Sequence, residues 1–322
     1  MRLQPLNRFP IHSVPAGGSQ ETVMDSLSLK IFFQLTLSGV IVGSIYGLIA
    51  LGFVLIYKAT DVVNFAQGEL MMLGAYICYY IITTYSVPFV PAFLITLLFS
   101  AVLGIFIELL ILRPMLGKHV FSIIMVTVAL ATLLRSLVGL FWGHDTYRFP
   151  APFSDKAIRV FGLSILPVEL TTVLTALGLF ILFYLFFKYS NLGLAMRATA
   201  FDQKYAFLMG ISVKKIFSLS WILASGVASI GGVFLASISS LQTTMSFIGL
   251  KVFPAVVLGG IDSVAGAILG GLIVGLTENL AGGYLSKFFG SGVKELSAFF
   301  ILLIVLMIKP YGLFGKKEIL RV

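Results

Sequence analysis

The sequence predicts an all-α polytopic integral membrane protein of about eight to ten transmembrane helices, some of them broken or re-entrant. Two observations carry that prediction. Of its 322 residues 59% are hydrophobic and only 11% charged, against about 25% charged in an average soluble domain. The apolar residues also fall in long runs. Residues 31–57 hold no charge over 27 positions, which at about 1.5 Å per residue exceeds a hydrocarbon core of roughly 30 Å.

Residues 1–26 are expected as a flexible tail, with Met24 a candidate true start. Pro5, Pro10, Pro15 and the Gly17-Gly18 pair interrupt any helix, and no apolar segment follows Arg2 and Arg8 as a secretory signal requires. The transmembrane domain then covers 27–317. Residues 31–57 form one tilted helix. The uncharged stretch from Leu70 to Ile107 is too long for one span, and Pro88 and Pro91 divide it into helices over 70–85 and 89–112. Further spans follow over 120–142, interrupted only by Arg135, and over 170–187, 216–250, the glycine-rich 252–277, and 296–308. Residues 318–322 form a cytoplasmic end.

Orientation follows from lysine and arginine, which collect in short cytoplasmic loops. Arg113 and Lys118 mark one such segment. Lys188, Arg197, Lys204, Lys214 and Lys215 load 188–216, and Lys309, Lys316, Lys317 and Arg321 load the C-terminal tail. Segment 143–169 balances Arg148, Lys156 and Arg159 against Asp145, Asp155 and Glu169, and is placed outside as a small hairpin or irregular cap. With 113–119 inside, the first helix starts outside, so a cytoplasmic tail requires an odd number of crossings. Residues 240–284 then contribute two spans, or none if re-entrant. A further N-terminal crossing would instead permit an even count.

The formal net charge of +9 is dispersed between apolar runs, so no nucleic-acid partner is expected. The single cysteine, Cys78, lies in an apolar run, and His12, His119 and His144 sit on separate segments without metal-ligand spacing. No metal or other cofactor is expected. The string Gly312-Leu-Phe-Gly315-Lys316-Lys317 lacks the spacing and hydroxyl of a phosphate loop, and no nucleophile triad or paired carboxylates suggest catalysis.

Two polar strings stand out. Asp61-Val-Val-Asn64-Phe65-Ala66-Gln67-Gly68-Glu69 separates two apolar runs, and reads either as a cytoplasmic turn or as a helix-terminus site in which Asn64, Gln67 and Glu69 line a pathway. In Asn191 to Ile211, the residues Phe201, Tyr205, Leu208 and Met209 fall on one face of a short helix that Gly210 terminates. That apolar face docks on its own bundle, on the lipid interface, or on a partner protein.

Within these strings, Asn64-Phe-Ala-Gln-Gly-Glu69 and Gly193-Leu-Ala-Met-Arg-Ala-Thr-Ala-Phe-Asp202 through Met209-Gly210-Ile211 resemble the integral-membrane permease family of branched-chain amino acid ABC importers, the LivH type. So do Phe253-Pro-Ala-Val-Val-Leu-Gly-Gly260, Gly266-Ala-Ile-Leu-Gly-Gly271 and Lys309-Pro-Tyr-Gly-Leu-Phe-Gly315. The resemblance spans residues 27–317. It departs at Gln67, where many relatives carry His, and before Met24. It implies the ABC importer permease fold and a multi-pass place in a bacterial inner membrane. The implied partners are cytoplasmic ABC ATPases, a second permease (LivM-like or a second copy) and a periplasmic solute-binding protein, with a branched-chain or related aliphatic amino acid as substrate. Urea or short amides are the alternative cargo, and an ion-coupled secondary transporter the alternative class. The ATPase-coupling segment implied is Gly193, Leu194, Ala195, Met196, Arg197, Ala198, Thr199, Ala200, Phe201, Asp202, Tyr205, Ala206, Leu208, Met209 and Gly210.

Asp262, Glu278 and Asn279 join Asn64, Gln67 and Glu69 as pathway candidates, because carboxylates inside a membrane are costly and usually face a cavity or a partner. Arg135 is expected to snorkel outward, and Glu108 to face headgroups or pair with a base. The glycines at 259, 260, 266, 270, 271 and 275 are expected at close helix contacts. Arg148, Lys156 and Arg159 are candidates for docking the binding protein.

Overall fold

A computed structural model of the chain describes residues 18–115, 117–150, 156–160 and 162–315, with side chains from Leu29 onward. Residues 1–17 of the expected tail and the end 318–322, together with Lys316 and Lys317, lie outside the described residues. Helix α1 (Gly18–Thr60) leads into α2 (Gln67–Tyr85) and α3 (Phe89–Ile107), which continues through a π turn (Glu108–Leu112) and a 3-10 turn (Arg113–Met115). Next come α4 (Val120–Trp142), strands β1 (Ile158–Val160) and β2 (Leu163–Ile165), α5 (Pro167–Tyr189), α6 (Asn191–Phe201) and α7 (Gln203–Leu208). The chain ends with α8 (Val213–Ile238), a 3-10 turn (Thr243–Ser246), α9 (Phe247–Gly259), α10 (Val264–Tyr284), α11 (Ser286–Phe289) and α12 (Val293–Ile308).

Six of these helices are long and apolar enough to cross a membrane: α1 from Leu29, α3 with its continuation to Met115, α4, α5, α8 and α10. Burial ranks them. In their most apolar windows α1 is 89% and α8 72% buried, against 28% for α3, α4 and α5. The first two are therefore the axis of the bundle, and the others turn leucine and phenylalanine toward lipid.

The path of residues 240–284 is traced by what touches what at the two faces of the bundle. Leu241, just after α8, pairs backbone to backbone with Tyr147 beyond the outer end of α4. At the opposite face the Lys58 ammonium, near the end of α1, donates to the Asp262 carbonyl in the α9–α10 turn at 2.8 Å. The stretch 240–284 thus runs inward through α9 and back through α10, contributing two passages. Counting α2 and α12, the described residues pass between the two faces of the bundle nine times. Aromatic rings pack together near the end of α4, where the buried Tyr76 lies 5.6 Å from Trp142 and Tyr79 lies 5.2 Å from Tyr147.

Small residues let α10 lie directly on α1. A methyl added at Gly43 would stand 2.8 Å from the Leu272 Cα, and Gly271 and Gly275 face Gly47 and Gly43 from the other side. Backbones this close gain dispersion along their whole contact.

Several expectations are corrected. The tail ends sooner than residue 26, because α1 begins at Gly18 and no proline follows within it. The uncharged run 216–250 is not one helix: α8 stops at Ile238 in a polar stretch, Ser239 to Thr244, whose hydroxyls and amides compete for the backbone. Lys251, expected to separate two spans, sits inside α9 and reaches the Glu295 carboxylate of α12 at 3.1 Å. The external cap is in part the expected hairpin, with Ile158 paired to Ile165 and Val160 to Leu163.

Candidate functional site

The polar string after α1 does not form a solvent-exposed turn. Asp61 takes a left-handed conformation (φ 54°) and turns the chain back into the bundle. Asn64 then acts as a local brace, its Oδ1 accepting from the Ala66 N–H at 3.0 Å and its Nδ2 donating to Gln67 Oε1 at 3.2 Å. The Gln67 amide in turn donates to the Ala224 carbonyl of α8 at 3.2 Å and lies against Gly52, where any side chain would collide with it. Ala224 is eleven residues past Val213, about 16 Å along the helix. Helix α2 therefore starts deep inside the bundle, and Asn64, Gln67 and Glu69 are all buried.

Glu69 meets Arg135 there in an ion pair. The guanidinium also lies over the Phe247 ring, 4.2 Å from its centroid. Arg135 does not snorkel, because a carboxylate and an aromatic face are already within reach at its own depth. Three elements, α2, α4 and the start of α9, thus converge on one pair of charges.

A second charged cluster closes α3 on the inner side. Glu108 is buried and takes both Arg113 Nε and Nη2 at 3.0 Å, and the Ser218 hydroxyl at 2.7 Å. It pairs with a base, as expected. Between this cluster and Asn64 lies a cleft with about 690 Å³ of open space, bordered also by Thr127, Gln203 and Trp221. The other carboxylate candidates stand apart from it. Asp262 belongs to the α9–α10 turn. Glu278 is fully enclosed and accepts from the Tyr46 hydroxyl at 2.9 Å, and Asn279 donates back to the Gly275 carbonyl of its own helix. None of the three joins the Asn64–Gln67–Glu69 group.

The basic segment between α5 and α8 folds as two short helices instead of one. Asp202 accepts from the N–H groups of Lys204 and Tyr205 at 2.7 and 3.0 Å, which caps α7 and leaves Phe201 at the end of α6. Gly210 (φ 83°) ends α7: its N–H reaches the Phe207 carbonyl and the Ile211 N–H the Ala206 carbonyl, both at 3.0 Å. Met196, Thr199, Ala206 and Gly193 face inward, and Gly193 rests on the backbone of Phe186 and Phe187. Phe201, Tyr205, Leu208 and Met209 face outward, the first 89% exposed, and Phe207 adds to the patch.

A sequence profile described as "Branched-chain amino acid transport system / permease component" matches residues 35–308, from within α1 to the end of α12. The chain belongs to this family. Among its relatives, the high-affinity branched-chain amino acid transport system permease protein LivH of Salmonella typhimurium is 30% identical over 90% of this chain and 98% of its own. BraD of Pseudomonas aeruginosa, described in the same words, is 31% identical over the same shares. A solved structure, PsaBC from Streptococcus pneumoniae in complex with Fab, covers 92% of this chain and 98% of that one at 17% identity and a TM-score of 0.49.

On the outer side of the permease, the hairpin is fastened to α1. The Gln34 amide donates to the Ser164 carbonyl at 3.0 Å and accepts from the Ser164 N–H at 3.1 Å. Arg159 lies on β1 of that hairpin and Lys156 just before it, both exposed, whereas Arg148 follows the Tyr147 bridge at the end of α4. Sequence reasoning missed the partnership of Glu69 with Arg135 and Phe247. The signal was available: Arg135 is the single charge in the apolar run 120–142, and such a charge calls for a counter-charge at its own depth.

Proposed function

We propose that this permease is the membrane-spanning subunit of an ATP-binding cassette importer that carries branched-chain or related aliphatic amino acids across a bacterial inner membrane. The observation that carries the reading is the family match over residues 35–308, supported by relatives named for branched-chain amino acid transport at about equal length. ATP hydrolysis belongs to separate cytoplasmic subunits, and this chain is not an enzyme. The exposed apolar patch on α6 and α7, ringed by Arg197, Lys204, Lys214 and Lys215, suits docking of such a subunit, because an apolar patch outside the membrane needs a protein to cover it. A second permease completes the channel. A periplasmic binding protein delivers the substrate to the outer face, where Arg148, Lys156 and Arg159 offer positive charge. Asn64, Gln67 and Glu69 lie on the route between the faces.

The test is uptake by the complete transporter reconstituted in vesicles, with ATP inside and binding protein outside. Labelled leucine, isoleucine and valine should accumulate only when ATP and all subunits are present. Uptake driven by an ion gradient without ATP, or transport of urea and short amides in place of amino acids, refutes the proposal as stated.

A further inference from the structure

Arg135 is charged, partly open and inside α4, seven residues, about 10 Å, before the helix ends at Trp142. It lies fifteen residues past Val120 on α4, about 22 Å from the inner end, and Glu69 lies sixteen residues before Tyr85, about 24 Å from the outer end of α2. The guanidinium side chain keeps 34% of its surface open, its Nε has no hydrogen-bond partner among the described residues, and Glu69 beneath it is 3% exposed. A cation at this depth does not face hydrocarbon; it faces water or a polar partner.

The surface of α4 is polar locally around it: Thr132 and Ser136 are exposed beside Arg135, whereas Val128 one turn earlier is an exposed apolar residue, His144 stands against Gly139, and Leu133, Leu137, Leu140 and Phe141 form a strip of lipid-facing character. Two polar hydroxyl-bearing positions flank the guanidinium. On the other side the Phe247 ring covers its face, itself 46% exposed, with Leu250 one turn further along α9 at 47%. A carboxylate, a guanidinium and an open apolar wall therefore stand together within the bundle.

We propose that Arg135 and Glu69 are the polar recognition pair for the substrate during passage: the Arg135 guanidinium takes the α-carboxylate, Glu69 takes the α-ammonium, and Phe247 with Leu250 supports the aliphatic side chain. This rests on the amino-acid transport reading above. A zwitterion suits the site electrostatically. It is neutral overall and carries one charge of each sign, so on entry each protein charge exchanges one opposite partner for another and none is left bare in the low-dielectric interior. A ligand with a single charge takes one member of the pair and leaves the other uncompensated, and an uncharged ligand offers nothing to replace the Glu69–Arg135 contact it would have to break. The pair thus disfavours amines, fatty acids and uncharged amides, while the wall of Phe247 and Leu250 favours aliphatic side chains.

The experiment uses the assembled transporter in a Cys78→Ala background, which removes the only cysteine of this chain, and follows labelling on the band of this subunit. Thr132→Cys and Ser136→Cys should react with a charged, membrane-impermeant methanethiosulfonate, Leu137→Cys should not, and leucine should slow labelling of the first two at least threefold. Arg135→Gln should abolish that protection and lower leucine uptake at least tenfold, and Glu69→Gln/Arg135→Gln should not restore uptake. Recovery of uptake in the double variant identifies a purely structural ion pair and overturns the proposal. So does absence of labelling at both polar positions in a folded, transporting complex, or labelling that leucine does not slow. If the unmodified transporter moves no amino acid at all, the transport reading itself fails, an outcome distinct from these.

Discussion

Replacing Gly43 by alanine isolates the contribution of the close α1–α10 contact. The added methyl would stand 2.8 Å from the Leu272 Cα and 3.1 Å from the Gly271 carbonyl oxygen, and both neighbours are backbone that cannot rotate away. Ordinary contact between carbon atoms lies near 3.5–4.0 Å, so the helices must separate by about 1 Å, a gap that forfeits a quarter to a half of each pairwise attraction. Overpacking of this kind costs about 1–3 kcal/mol. Alanine also gains roughly 1 kcal/mol of helix propensity over glycine, which would mask part of the loss. Gly178 on α5 supplies the correction, because a methyl there meets nothing within 4 Å and gains the same propensity. The difference between Gly43→Ala and Gly178→Ala is therefore the clash alone, about 1–3 kcal/mol, or roughly a 5- to 150-fold shift in the unfolding equilibrium. Reversible unfolding of the purified permease in mixed micelles measures it. Equal stability of the two variants would refute the claim that these backbones are in limiting contact.

Asn64→Ala removes the acceptor for the Ala66 N–H and the donor to Gln67, and should destabilise the start of α2 by about 1 kcal/mol; substrate-stimulated ATP hydrolysis of the complex should fall while its membrane level is retained, as blotting and an ATPase assay would report. Gly210→Val forces a β-branched residue into a left-handed position, at a cost of about 1–3 kcal/mol, and should loosen α7 enough to weaken copurification of the ATPase subunit. Leu208→Asp should abolish that copurification without altering thermal stability, since Leu208 is 76% exposed; unchanged copurification counts against the patch as a docking site. Reversing the charge of Lys156 and Arg159 together should lower uptake and flatten its dependence on ionic strength, and an unchanged salt profile would remove them from receptor docking.

The transmembrane class was readable because its physical cause is local: a run such as 31–57 needs no tertiary context to be too apolar for water. Turn chemistry at Gly210 was readable for the same reason, since only glycine fits the left-handed exit of a helix cheaply. The break after Ile238 was not readable from charge, because backbone competition by serine and threonine hydroxyls, and not a charged residue, ends α8. The tilt of the string 61–66 back into the bundle was likewise invisible. A polar string at the end of a span suits either solvent or a dry site lined with amides, and the choice is made by Ala224, far away in sequence, together with Gly52 on the preceding helix. Arg135 illustrates the same limit, because its partner lies 66 positions earlier on another helix.

One further consequence concerns the order in which the bundle is finished. The last carbonyls of α9 lack partners within their own helix. Those of Leu258 and Gly259 accept from the N–H groups of Leu313 and Phe314 at 2.8 and 3.0 Å. These donors emerge from the ribosome 55 residues after their acceptors. During biosynthesis the α9–α10 hairpin must therefore wait, its end unsealed, until α10 and α12 have been threaded and the chain folds back beneath them. A nascent chain that ends before Leu313 leaves the Leu258 and Gly259 carbonyls to water instead of to these two N–H groups.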